Sequence, residues 1–179
     1  MTYIRYAILT VSFLLLTAVT SPAFAQEGSL VAVMDVQRIL SQSKAAKSIQ
    51  EQLQTKQEDI RTEISAKERD LADAQKELKE SVSLSDEELD KKKHEFEKML
   101  LETRKLVQTR QRALEKSANE ALAELKAESL KIVSDLSDEN GYDIVVSQQN
   151  VILADKSLDI TDTVLKRLDG SLKTIKLKE

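Results

Sequence analysis

The chain carries a single histidine, His94, and no cysteine. His94 is embedded in Lys91-Lys92-Lys93-His94-Glu95, with no second imidazole and no thiol at a metal-ligand or nucleophile-base spacing. It reads as a solvated helix residue. Serines are numerous, yet none stands in a motif that places a base beside it. No glycine-rich phosphate loop is present, so nucleotide hydrolysis cannot drive any cycle. No catalytic residue, metal ligand or cofactor is expected, and the chain reads as a non-enzyme. Whatever work it does must run on binding energy.

Two groups of residues offer binding chemistry. The stretch 91–116 holds nine Lys or Arg against four Asp or Glu, and Lys91, Lys92 and Lys93 open it. Such a stretch attracts acidic partners or anionic head groups; its plain alternative is a solvated helix face of interspersed pairs. Interleaved with it are Phe96, Met99, Leu100 and Leu106, apolar residues at helical spacing. They form either the seam of a helix pair or, where one narrow seam cannot accommodate them all, a surface for apolar segments of another polypeptide.

Those residues need elements to carry them, and the N-terminus has to be set aside first. Arg5, an apolar run over 7–19, and Ser21-Pro22-Ala23-Phe24-Ala25 form a basic, hydrophobic and small-x-small sequence of the secretory kind. Residues 1–25 are therefore expected to be a cleaved signal peptide, and the mature protein is expected in the periplasm. Without Arg5 the charge is 26 basic against 31 acidic, or −5. That balance argues against nucleic acid as a partner. Four of the six aromatics and the one proline lie in the leader. What remains is rich in Ala, Glu, Lys, Leu and Gln, a long-helix composition.

Residues 30–35 are a short β-prone run ending in Asp35, which can cap a helix beginning at Val36. A helical period then runs unbroken to about Leu78. Leu53, Ile60, Ile64, Leu71 and Leu78 share one stripe, with Gln50, Gln57 and Lys67 also at stripe positions. Ser85 and Glu88 form a capping box, with Leu84 and Leu89 as its hydrophobic staple, and restart a helix that runs to Asn140-Gly141. An antiparallel hairpin centred on 83–84 follows. In it Leu78 faces Leu89, Leu71 faces Phe96, Ile60 faces Val107, Leu53 faces Leu114 and Ala46 faces Ala121, each pair of numbers totalling 167. Ile64 meets Thr103 in this register.

Beyond Gly141 the period becomes extended. Runs at 143–147 and 151–154 read as two strands of a β-hairpin, and 159–168 as a last helix ended by Gly170. The fold class is thus α+β, mostly α: a long helical-hairpin tentacle over 44–133, projecting from a small, discontinuous β/α body made of 26–43 plus 134–179. Three short strands and one helix bury too little to hold so long a hairpin. Assembly through the body, at Val31, Val33, Ile144, Val145, Val146 and Ile152, supplies the rest.

The order of these elements, with Tyr142-Asp143-Ile144-Val145-Val146-Ser147 and the closing Asp159-Ile160-Thr161 … Val164-Leu165-Lys166, resembles the Skp (OmpH-like) family of periplasmic outer-membrane-protein chaperones over essentially the whole mature chain. The resemblance implies a homotrimer with a β-barrel body and three tentacles around a cavity. It implies ATP-independent capture of unfolded outer-membrane β-barrel proteins; on the reading of the apolar and basic residues above, Phe96, Met99, Leu100, Leu106, Lys91, Lys92 and Lys93 would meet the client. The chain departs from the family's basic character: its tip is Ser85-Asp86-Glu87-Glu88. That departure argues against anionic-lipid or lipopolysaccharide binding. A structural coiled-coil protein of the cell envelope with fixed protein partners is the alternative reading.

Overall fold

The computed structural model describes residues 28–80 and 85–178. The leader and the Leu84 half of the staple lie outside the described residues. Strand β1, Val31–Met34, leads into helix α1, Val36–Gln42, whose first turn is capped by Asp35: its carboxylate accepts from the Arg38 N–H at 2.9 Å. Helix α2, Lys44–Glu80, and helix α3, Asp86–Asn140, form the hairpin arms. Strand β2, Ile144–Ser147, and helix α4, Thr161–Ser171, complete the body.

The unbroken helix expected from Val36 is in fact two. Ser43 has extended backbone and is fully buried. Its N–H closes α1 on the Ile39 carbonyl at 3.3 Å, and its hydroxyl accepts from the Ala46 N–H at 3.2 Å. The Asp169 carboxylate, from α4, accepts from the Lys44 N–H at 2.7 Å. Two acceptors thus satisfy donors at a new helix start that apolar periodicity alone does not reveal. The kink turns α1 onto the body and sends α2 away from it.

At the far end of α3, Gly141 adopts φ +71° and its N–H reaches the Ser137 carbonyl at 2.8 Å. This left-handed cap suits glycine, and it reverses the chain into β2. The capping box at the start of α3 is formed as expected, with Ser85 and Glu88 exchanging bonds.

β1 and β2 run parallel, Val31 beside Ile144 through Met34 beside Ser147. Parallel neighbours need a long crossover, and here the whole helical hairpin is that crossover. On its other edge β1 meets the chain at Asp159, where the Ile160 N–H donates to the Val33 carbonyl at 2.9 Å. The second strand expected after Gly141 is not formed. Residues 148–150 make a 3-10 turn and 151–155 are irregular, with Ile152 and Leu153 104% and 90% exposed. An apolar run becomes a strand only where a ladder partner is offered, and within one chain none reaches it. Gly170 does not end the last helix either, which runs on to Ser171.

One core joins the body to the roots of the arms. Ala32, Ile39, Ala45, Ile49, Leu125, Leu136, Val164, Leu168 and Ile175 are all buried in it. Further out, α2 and α3 are only half-buried along their facing sides. At about 1.5 Å per residue, helices of 37 and 55 residues extend roughly 55 and 80 Å, far beyond any compact body of this mass.

Candidate client-binding surface

All residues of the register totalling 167 that lie among the described residues are buried or half-buried, from Leu78 and Leu89 to Ala46 and Ala121. Thr103 is the most enclosed side chain of the outer arm at 9% exposure, its hydroxyl returned to the Met99 carbonyl at 2.8 Å. Gln50, Gln57 and Lys67 are exposed, whereas Ile49 is buried and Lys56 half-buried. Ion pairs flank the seam. Glu63 accepts from Arg110 Nε at 2.8 Å and Nη2 at 2.9 Å, and Lys92 meets Glu77 at 3.5 Å. The Arg110 hydrogen bonds hold the Glu63 carboxyl below the ordinary carboxylate range.

Phe96, Met99, Leu100 and Leu106 are all half-buried on α3. Met99 and Leu106 come together: with Lys67, Glu102 and Thr103 they line a cavity of about 200 Å³ between the arms. Leu101, which the sequence reading passed over, is 64% exposed beside them. The outer arms therefore combine a thin apolar seam with apolar side chains reachable from solvent. Of the lysines, Lys91 and Lys93 are exposed and Lys92 is half-buried. Lys93 meets Asp90 at 3.3 Å, Lys98 meets Glu102 at 4.0 Å and Lys116 meets Glu120 at 3.8 Å. Much of the basic stretch is thus engaged with neighbouring carboxylates on its own helix or the facing one.

The strand residues divide into two sets. Val33 is buried, and Val145 packs against the core. Val31 and Val146 are half-buried, whereas Ile144 is 51% exposed and Ile152 wholly so. Leu30, Leu153 and Leu158 are further exposed apolar residues of the body, and the sequence reading did not single them out. Val33, Val151, Ile152, Leu153 and Ala154 border a concavity of about 350 Å³.

A feature missed altogether lies at the C-terminus. Residues 172–178 form no helix or strand and run back along the roots of the arms. Ile175 is 1% and Leu177 8% exposed. Gln52 Nε2 donates to the Ile175 carbonyl at 2.7 Å, and Gln52 Oε1 accepts from the Leu177 N–H at 3.2 Å. The Ser117 hydroxyl donates to the Lys178 carbonyl at 2.6 Å. The available signal was the alternation Ile175-Lys176-Leu177-Lys178, which has the period of a half-buried strand.

Among the described residues no cluster of three His, Cys, Asp or Glu is placed to hold a metal ion, and no helix is long and apolar enough to cross a membrane. The fold and this surface define a class: a small α/β body from which two antiparallel helices stand out as an arm with an accessible apolar seam. The family model for outer membrane proteins of the OmpH-like kind matches residues 30–168, and the chain belongs to that family. Its fold is similar to the crystal structure of a Caulobacter crescentus CB15 protein proposed to be an OmpH-like outer membrane chaperone. The TM-score is 0.78 at 20% identity, over 84% of this chain and 90% of that one. No match is found among curated proteins.

Proposed function

We propose that the protein is an ATP-independent periplasmic holdase, exported by a cleaved signal peptide, that shields unfolded outer-membrane β-barrel proteins between helical arms. The observation that carries this reading is the outer arm itself. Over most of their length α2 and α3 have no third element to pack on, and they keep Phe96, Met99, Leu100 and Leu106 half-buried with Leu101 exposed. A pair of helices built only to span distance gains nothing from apolar side chains left in reach of solvent. A surface that takes many different unfolded segments needs weak, non-directional contacts of this kind.

Three chains would surround a client more completely than one. Ile144, Ile152, Leu153 and Leu158 supply the apolar surface for their association, and the irregular run 151–155 would gain its ladder partner there. Membership of the OmpH-like family and the proposed chaperone role of the Caulobacter protein support both the clients and the location.

The test is suppression of aggregation of a urea-denatured outer-membrane β-barrel protein on dilution, with and without ATP, at 0.1 M and 1 M salt. The Debye length falls from about 10 Å to about 3 Å between those salts, so steering by the basic stretch fades while apolar contacts persist. Protection should survive high salt and be indifferent to ATP. Complete loss at 1 M salt would mean that charge holds the client, and the apolar-arm mechanism would fail.

A further inference from the structure

The C-terminal tail does more than cover a core. Its buried Ile175 and Leu177 alternate with exposed Lys176 and Lys178, the period of an extended segment with one face covered. The groove buries its Ile175 and Leu177 side chains and also grips its backbone. The Gln52 amide donates to one tail carbonyl and accepts from the N–H two residues on, the pair of bonds that a neighbouring strand would offer. The Ser117 hydroxyl donates to a second tail carbonyl, that of Lys178. None of these bonds depends on which side chains the tail carries. Beside the tail lies a cavity of about 300 Å³ between the arms, lined by Ile60, Ala113 and Leu114, by the charged Lys56, Asp59, Glu63 and Arg110, and by Ser117 and Lys178.

We propose that this groove is a binding slot for extended polypeptide, that the tail is its resident occupant, and that an extended client segment of the same apolar–polar alternation displaces the tail. This rests on the holdase reading and names the segment class such a holdase would take. The alternation matches the strands of an outer-membrane barrel, whose residues point in turn to lipid and to lumen. The tail suits exchange because the bonds that seat it are few, while α4 before it is docked separately through its own buried Val164 and Leu168. Tethering gives it an effective concentration on the order of millimolar, so it admits only segments that outbind it at that level. The tail thereby sets a threshold against folded or weakly apolar chains.

The chain contains no cysteine, so a lock can be introduced cleanly. In the double variant Ser117→Cys, Lys178→Cys a disulfide would pin the tail, and reduction would free it. The probe is a fluorescent synthetic peptide of the tail sequence, residues 172–179, followed by anisotropy. The reduced variant should bind it about tenfold or more tightly than the oxidised one, and Gln52→Ala should weaken binding to the reduced form. A chain ending at Ser171, if circular dichroism shows it folded, should bind tightest of all; if it does not fold, the lock comparison decides alone. Equal binding to oxidised and reduced forms overturns the proposal. A parallel assay of β-barrel aggregation separates the two readings. Peptide exchange without protection keeps the slot and sinks the holdase, whereas protection with no redox-dependent exchange keeps the holdase and sinks the slot.

Discussion

Single residues decide where this chain turns. Gly141 ends the longest helix at φ +71°, and a Cβ there would meet only Leu30 Cδ1 at 3.7 Å, an ordinary contact. The cost of Gly141→Ala is therefore backbone strain alone, about 1 kcal/mol. Urea unfolding should show a lower midpoint with an unchanged slope. Glu63 offers a second check. Arg110 lowers its folded-state pKa, so the pair contributes stability above the unfolded carboxylate pKa and loses it as pH falls through the folded value. Between about pH 6 and about pH 3 the parent chain should lose more thermal stability than Glu63→Gln, whose amide does not titrate there. Equal slopes would show that the pair adds nothing to the hairpin. Of the two, only Gly141 announced its role in the sequence, because Asn-Gly after a helical run stops a helix by local sterics. The partner of Glu63 is 47 positions away.

At the scale of elements, the hairpin is the most legible part. Two amphipathic runs joined by a capped restart can bury their stripes only against each other, and the seam residues are indeed the enclosed ones. The register gives a direct measurement: cysteines at Leu71 and Phe96 should cross-link within one chain. Cross-linking of position 71 only to a residue a full turn from 96 would show the register wrong. The break at Ser43 and the seat of the tail were not legible. Ser43-Lys44-Ala45-Ala46 lacks the acidic partner of a capping box, and the second acceptor, Asp169, is 125 residues distant. The sequence also misled at 151–154, where a continuous apolar run has no neighbouring strand to complete it within one chain.

For the molecule as a whole, the exposed apolar residues of the body give the sharpest test of assembly. The sequence places Val33 and Ile152 in one assembly set, yet Val33 is 5% exposed and Ile152 wholly exposed in the single chain. Val33→Asp buries an unpaired charge and should unfold the chain. Ile152→Asp should leave the far-UV circular dichroism intact while light scattering after size exclusion falls from three chains to one. A parent protein that is a folded monomer at micromolar concentration would remove the trimer from the proposal.

The sequence by itself determined the class of this protein: one helical hairpin, a small body drawn from both ends of the chain, and the absence of any motif for catalysis. Those features follow from composition, period and local capping, which act within a few residues and can be read along a line. Only the tertiary structure decided that the strands pair in parallel with the hairpin as their crossover, that α4 supplies a cap to α2, and that the tail lies on Gln52 and Ser117. Each of these joins groups more than sixty positions apart, and each is a short-range contact of hydrogen bonds and buried side chains. Such contacts depend on which surfaces meet once the helices have packed, and no local pattern encodes that meeting.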